Sequence, residues 1–191
     1  MYETRPLNEV RNSSGHLLAA ALLTAYILAP ISTGHAGNYR NLNEILQELR
    51  PETAPTGQTA PQRSIDLYVT FRSGSSELSK TAENQLDELA GAISHPSLAK
   101  QIFIIAGHTD ASGPADYNKR LSEARAVTVK RYLILKHGLS GNRLTTIGWG
   151  EERLKMPLYP RDASNRRVEI TAIPKADKNL LPGQSKGHRK W

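Results

Sequence analysis

Between residues 65 and 173 the spacing of apolar positions changes period several times, and each change predicts an element of secondary structure. Residues 65–71 alternate apolar and polar side chains, as a strand with one buried face does. Residues 101–106 are almost continuously apolar, as expected of an interior strand. Two further strands are predicted at residues 144–149 and 167–173.

Two stretches with helical spacing lie between these strands. The first begins after Ser79, a favourable N-cap, and ends at His95, which precedes a proline. The second covers about residues 115–137 and stops at Gly138, a typical C-cap. The order β-α-β-α-β-β predicts an α+β two-layer sandwich, a mixed four-stranded sheet with the helices on one face.

A strongly apolar run lies near the N-terminus. Residues 17–31 contain no charged side chain and, as a helix, reach roughly 22 Å, which is short of a hydrocarbon core of about 30 Å. Gly34 and Ala36 then provide the small residues of a cleavage site, so residues 1–36 are predicted to be a signal peptide. Two alternatives stay open. The first is an uncleaved anchor, which the lack of net positive charge in residues 1–16 favours. The second is a buried helix of a cytosolic domain.

The rest of the chain divides into three segments. Residues 65–173 are predicted to be the folded domain, and residues 174–191, with five basic side chains against one Asp, a basic disordered tail. Residues 37–64 have the composition of a linker, with several prolines. The linker includes a short amphipathic helix that is expected to dock on the domain or on a partner, with its apolar positions at Leu42, Ile45, Leu46 and Leu49.

Composition narrows the class of protein. The 191 residues carry a formal net charge of +7 at pH 7 and include no cysteine. The charge favours a polyanionic partner, whereas the lack of cysteine excludes disulfides, thiolate metal sites, a cysteine nucleophile and a lipid-carrying cysteine. The mean hydropathy of -0.48 excludes a polytopic membrane protein.

Candidate chemistry is concentrated in residues 107–126, where an interior strand leads through a turn into the second helix. Four residues share one stripe of that helix, which faces either the turn or solvent: Asn118, Leu121, Ser122 and Arg125. If the stripe faces the turn, Asp110 and Arg125 together can bind a zwitterion, with Asp110 taking the ammonium group and Arg125 the carboxylate. The alternative is a structural salt bridge between Asp110 and Arg125.

The sequence does not favour catalysis, a cofactor or a metal ion. None of the six histidines has HxxxH or HExxH spacing, and neither a GxSxG motif nor a glycine-rich phosphate loop occurs. His108 is interpreted as a strand-end residue rather than a metal ligand. Nucleic acid is not expected as a partner of an exported chain. The basic tail, which ends in Trp191, either contacts an anionic membrane surface or only increases solubility.

Residues 109–129 resemble the signature of the OmpA-like peptidoglycan-binding family. The signature of that family is T-D-x-x-G after a strand and N-x-x-L-S-x-x-R-A-x-x-V on the next helix, and each position is matched: Thr109, Asp110, Gly113, Asn118, Leu121, Ser122, Arg125, Ala126 and Val129. Three further motifs match, F-x-x-G-S-x-x-L from Phe71, G-aromatic-G-E from Gly148 and N-R-R-V-E from Asn165. The resemblance covers about residues 65–173.

The resemblance implies a non-enzymatic domain that binds the peptide stem of peptidoglycan and recognises the amino-acid head of meso-diaminopimelate. It implies that Asp110 binds the ammonium group and Arg125 the carboxylate, and that four other residues line or complete the pocket: Thr109, Asn118, Leu121 and Arg166. The chain is then a wall tether or sensor. Two alternatives are a component of a larger secretion or motor complex and, in another class, a peptidoglycan-modifying enzyme.

Differences from other members of the family indicate a location. The chain lacks the N-terminal cysteine of the lipoprotein members, and residues 17–31 lack the Asp of the stator members' transmembrane helix. We therefore expect a periplasmic protein, associated with the outer membrane or cell wall of a Gram-negative-type bacterium. Residues 152–164 are basic and atypical of the family, and a separate envelope protein is their candidate partner.

Overall fold

A computed structural model describes residues 39–51 and 62–175 of the chain. The predicted signal peptide, part of the linker and almost all of the basic tail lie outside these residues. Three α-helices and four β-strands follow one another in the described ranges: α1 Leu42–Leu49, β1 Arg63–Leu67, α2 Lys80–Ser94, β2 Gln101–His108, α3 Ala115–His137, β3 Leu144–Gly150 and β4 Val168–Pro174. None of these helices combines the length and hydropathy needed to cross a membrane.

The four strands form one mixed sheet in the order β1-β4-β2-β3. β2 and β3 are parallel, whereas β4 is antiparallel to both β1 and β2. One face of the sheet shares its core with the helices and carries buried apolar side chains that include Leu67, Phe103, Ile105 and Ile170. The predicted α+β fold with a mixed four-stranded sheet is confirmed.

β1 ends earlier than the alternating pattern predicts. The pattern continues to Phe71, but the strand ends at Leu67. Leu67 is opposite Val168, the first residue of β4, so the chain beyond Leu67 has no ladder partner. Phe71 instead forms an isolated antiparallel bridge with Leu78. The segment 68–78 therefore leaves the sheet, and it contacts the N-terminal half of α3 at Tyr117 and Arg125.

The ends of α2 and α3 follow from local hydrogen-bonding chemistry, as predicted. The Ser79 side chain accepts a hydrogen bond from the Ala82 amide at the start of α2. At the end of α3, Gly138 has φ 64° and ψ 19°, and its amide donates to the Ile134 carbonyl. The apolar residues that give α2 its helical spacing are buried: Ala82, Leu86, Leu89, Ala90 and Ile93.

α1 belongs to the same core. Its apolar residues Ile45 and Leu49 are fully buried. The chain before α1 is held as well, because the Gln85 side chain accepts from the Arg40 amide at 2.8 Å and donates to the Arg40 carbonyl at 2.7 Å. The sequence left open whether α1 docks on the domain or on a partner, and in the structure it packs on the domain.

α3 lies very close to β2 and β3 because glycines face it. A Cβ atom at Gly107 would overlap the Ser122 carbonyl, and one at Gly148 would overlap the Glu123 amide. The Ser122 hydroxyl accepts a hydrogen bond from the Gly150 amide at 2.8 Å. This contact fixes the position of α3 relative to the C-terminal end of β3, which pairs with the end of β2.

Candidate functional site

The loop that follows β2 is held by backbone hydrogen bonds on both sides. The Thr109 amide donates to the Gly150 carbonyl at 2.9 Å, and the Ala111 amide donates to the Pro160 carbonyl at 2.9 Å. Asp110 lies between these two anchored residues. It is therefore fixed at the end of an interior strand, where the sequence predicts it.

The predicted stripe of α3 faces this loop rather than solvent. Three of its residues, Asn118, Ser122 and Arg125, are buried, and Leu121 is half-buried. The small neighbours of Arg125 and the glycines of β2 and β3 permit this close approach. Of the two orientations that the helical spacing allowed, the one required for a pocket is observed.

Asn118 holds the loop in place. Its side-chain amide nitrogen donates to the carbonyls of Asp110 at 3.1 Å and Gly113 at 3.2 Å, and to Glu151 Oε2 at 2.6 Å. These three acceptors use the two hydrogens that an amide nitrogen carries. Asn118 therefore lines the pocket mainly as a positioning residue.

All the predicted site residues line one cavity, of about 500 Å³. They lie in the loop after β2, on α3 and just before β4: Thr109, Asp110, Asn118, Leu121, Arg125 and Arg166. The rest of the wall consists of residues to which the sequence assigned no role in the pocket: Phe71, Ser73, Gly74, Ser112, Gly113 and Tyr117. Residues from the whole length of the domain thus converge on one site.

Asp110 pairs with Arg166 and not with Arg125. Arg166 Nη1 lies 2.6 Å from Asp110 Oδ2, and the Ser112 amide donates to Oδ1 at 3.1 Å. Burial acts to raise the pKa of Asp110, but the hydrogen bonds from Arg166 and Ser112 outweigh burial and lower it. The salt bridge between Asp110 and Arg125, the alternative left open by the sequence, is not formed. The reason is that pairing of β4 with β2 brings Arg166 next to the loop.

Arg125 is a buried cation without a carboxylate partner. It is 8% exposed, its Nε donates to the Ser75 carbonyl at 3.0 Å, and its guanidinium lies 4.9 Å from the centre of the Phe71 ring. No acidic residue in the described part of the chain forms an ion pair with it. Burial lowers the pKa of Arg125, yet an arginine stays charged at neutral pH. An uncompensated buried charge reduces stability, so such a residue is expected where a ligand supplies the counter-charge.

Thr109 adds an unsatisfied hydroxyl to the wall of the cavity. It is 3% exposed, and its Oγ1 has no hydrogen-bond partner in the structure. Buried hydroxyls are nearly always hydrogen-bonded, so this atom is available to a ligand. The cavity therefore offers an anion at Asp110, a cation at Arg125 and a hydroxyl at Thr109.

The wall opposite the loop was missed as part of the site. It is the turn between Phe71 and Leu78, in which Gly74 has φ 61° and accepts at its carbonyl from Tyr117 Oη at 3.2 Å. The turn also supplies the Ser75 carbonyl that binds Arg125. A glycine flanked by serines after a predicted strand was the available signal.

Residues 152–164 form a loop that Asn165 holds through its backbone and that exposes two large side chains. The Asn165 side chain accepts from the Met156 amide at 2.8 Å and donates to the Tyr159 carbonyl at 3.0 Å. Leu158 and Tyr159 are 88% and 63% exposed. The role of this loop as a surface for a separate partner stays a prediction.

The described residues contain no group of three or more His, Asp or Glu side chains arranged to hold a metal ion. His108 is the last residue of β2, as its interpretation as a strand-end residue requires. It is 1% exposed, and its Nε2 lies 3.2 Å from Glu169 Oε2.

Similar sequences are found among proteins of Gram-negative cell envelopes. Outer membrane protein A of Buchnera aphidicola is 30% identical over 144 residues, which are 75% of this chain and 40% of that protein. The peptidoglycan-associated lipoprotein of Pseudomonas aeruginosa is 36% identical over 113 residues, which are 58% of this chain and 64% of that protein. The chain thus spans less than two thirds of the length of each relative. The predicted envelope location agrees with both of them.

The fold has a solved counterpart in the OmpA-like domain of FopA1 from Francisella tularensis. The TM-score is 0.50 at 20% identity, and the match covers 73% of this chain and 91% of that one. At this identity the likeness concerns the fold. The sequence model of the OmpA family matches residues 70–168, about half of the chain, and this range includes all the residues that line the cavity. The chain therefore belongs to the OmpA family.

Proposed function

We propose that this domain binds the peptide stem of peptidoglycan non-covalently and recognises the amino-acid head of meso-diaminopimelate. The observation that carries the proposal is Arg125, a buried guanidinium without a carboxylate partner, in the wall of a cavity that also holds an ionised Asp110. A cavity with both charges is complementary to a zwitterion. The name of the Pseudomonas relative, a peptidoglycan-associated lipoprotein, supports peptidoglycan as the polymer that is bound.

The head of the ligand carries its ammonium and carboxylate groups on one carbon atom. We place the ammonium group at Asp110, which can accept further hydrogen bonds because Arg166 and Ser112 use one lone pair on each oxygen. The carboxylate then accepts from the guanidinium of Arg125. The unpartnered Thr109 hydroxyl lies in the same cavity wall and can donate to the carboxylate or accept from the ammonium group.

Arg166 supports both states of the site. Without ligand it neutralises Asp110, and with ligand it gains the incoming carboxylate as a second partner. Its side chain is 50% exposed, so it can shift without any rearrangement of the core. This role is consistent with a pocket whose charges are in place before the ligand arrives.

The bacterial cell wall is a polymer that repeats the same peptide stem many times, and this favours a site with low affinity for a single stem. Two charge-assisted contacts contribute about 1.5–3 kcal/mol each, less where solvent reaches them, which corresponds to a dissociation constant of roughly millimolar to tens-of-micromolar order for one stem. Many stems in one sacculus then provide avidity. In a larger envelope complex the same domain would be the part anchored to the wall.

The cavity is better suited to binding than to hydrolysis. Among its described lining residues Asp110 is the one carboxylate, whereas glycoside hydrolysis ordinarily uses two. Asp110 is also held ionised by Arg166, so it is a poor general acid. We therefore propose a tether or sensor rather than a peptidoglycan-modifying enzyme.

Co-sedimentation with diaminopimelate-type peptidoglycan tests the proposal. Asp110→Asn removes the anion, and Arg125→Met removes the cation but keeps a long apolar stem against Phe71. Lys119→Met is the matched control, because Lys119 lies on the same helix, is 46% exposed and does not line the cavity. We expect both site variants to lose sedimentation and the control to keep it.

Thermal unfolding of the same variants separates binding from folding. Arg125→Met is expected to unfold at the wild-type temperature or above it, since removal of an unpaired buried charge relieves a desolvation cost. Full sedimentation of both site variants would contradict the proposed pocket. A large loss of stability in Arg125→Met would instead indicate that Arg125 is structural.

A further inference from the structure

A second buried group without a partner lies beside the proposed site. His108 is 1% exposed, its Nε2 contacts Glu169 Oε2 at 3.2 Å, and its Nδ1 has no hydrogen-bond partner. The contact with His108 lowers the pKa of Glu169, so Nε2 donates to a carboxylate. In the neutral imidazole the other ring nitrogen, Nδ1, is an acceptor, and here it lacks a donor.

His108 lines a second cavity, of about 280 Å³, between the segment 68–71 and residues 163–167. This cavity shares three wall residues with the cavity described above: Phe71, Arg125 and Arg166. The two cavities are therefore adjacent, with these side chains at their boundary. A ligand whose head occupies the first cavity would reach the second past these side chains.

The hydrogen-bonding groups around the second cavity define what it can bind. Arg167 is occupied, because its Nε donates to Asp66 Oδ1 at 2.9 Å and its two terminal nitrogens lie 3.3 Å from the Arg153 carbonyl. Arg125 has no carboxylate partner and can donate into the cavity. The wall thus offers an acceptor at His108 Nδ1 and a donor at Arg125.

An amide group complements this pair, because its N–H donates and its carbonyl accepts. A carboxylate would leave His108 Nδ1 without a donor, and an ammonium group would be repelled by the guanidinium groups. We propose that the second cavity binds a peptide amide of the stem, next to the zwitterionic head, with the amide N–H on His108 Nδ1 and the carbonyl on Arg125. This inference rests on the proposed function.

The test compares two ligands by isothermal titration calorimetry: free meso-diaminopimelate, and the tripeptide L-Ala-γ-D-Glu-meso-diaminopimelate. The tripeptide adds amide groups to the same head. We expect the full chain to bind the tripeptide about 5- to 10-fold more tightly, the effect of two further hydrogen bonds at the lower end of their usual net contribution.

His108→Gln removes the Nδ1 acceptor while its amide nitrogen can still donate to Glu169. We expect it to abolish the advantage of the tripeptide and to change the affinity for free diaminopimelate by less than twofold. His137→Gln is the matched control, because His137 also contacts a carboxylate through Nε2 and lines neither cavity. Ala163→Leu narrows the second cavity from an exposed wall position, and it gives the same expected result without a change at His108.

Equal affinities of the wild-type chain for the two ligands would overturn the second cavity and leave the proposed function standing. The same holds if Ala163→Leu and a folded His108→Gln both keep the preference for the tripeptide. Absence of binding of both ligands to the wild-type chain would overturn the proposed function, and this inference with it.

Discussion

Replacement of Gly148 by alanine tests how closely α3 must approach the sheet. The added Cβ would lie 2.6 Å from Ser122 Oγ and 2.7 Å from Glu123 Cα, and it would overlap the Glu123 amide nitrogen. Carbon contacts are normally about 3.5–4.0 Å, so α3 has to move away from β3 by about 1 Å. The backbone atoms of Glu123 cannot turn aside as a flexible side chain can.

The expected cost follows from this overlap. Overpacking of this kind costs about 1–3 kcal/mol, and the reduced freedom of the unfolded chain offsets about 0.4–1 kcal/mol. We expect Gly148→Ala to lower the free energy of unfolding by about 1–2 kcal/mol, or the midpoint of thermal unfolding by about 4–8 °C. It should also weaken binding to peptidoglycan, because Arg125 moves with α3.

Thermal unfolding followed by circular dichroism measures the effect. Gly141→Ala is the control, since its Cβ would meet only the end of the Ile134 side chain, at 3.3 Å. A Gly148→Ala protein as stable as the control would refute the close contact between α3 and β3.

Two further predictions concern the surrounding fold. Leu49→Ala should reduce the free energy of unfolding in urea by about 2–4 kcal/mol, because Leu49 is fully buried, and no change would mean that α1 is not part of the core. Burial acts to raise the pKa of Asp87, but hydrogen bonds from Tyr132, Lys136 and His137 lower it to about 2. The stability from this network is therefore present above the ordinary pKa of about 4 and is lost as the pH falls through the folded value. Asp87→Asn should cost about 1 kcal/mol at pH 7 in urea unfolding, a small value because the group is half-exposed. A difference from wild type as large at pH 2 as at pH 7 would contradict the reasoning.

Elements that depend on local chemistry were predictable from the sequence. Ser79 and Gly138 determine one end of α2 and of α3, because capping involves only neighbouring residues. The end of β1 was not predictable. It depends on where β4 begins, about a hundred residues later, and no pattern within 65–71 contains that information.

Six of the residues that line the cavity were predictable from the sequence, but their contacts were not. Helical spacing placed Asn118, Leu121 and Arg125 on one stripe, and the end of an interior strand supplied Asp110. The resemblance to the family added Thr109 and Arg166. The partner of Asp110 was a different matter, because Arg166 is distant in sequence and reaches the loop only through strand pairing. The turn that supplies the Ser75 carbonyl was missed for the same reason.

The most direct test of the central claim compares two kinds of peptidoglycan. In diaminopimelate-type stems the third residue ends in an ammonium group and a carboxylate, whereas in lysine-type stems it ends in an ammonium group alone. If Arg125 binds the carboxylate, the wild-type chain should co-sediment with diaminopimelate-type sacculi. With lysine-type sacculi it should remain in the supernatant. Equal sedimentation with both would contradict the recognition of a zwitterionic head by Asp110 and Arg125.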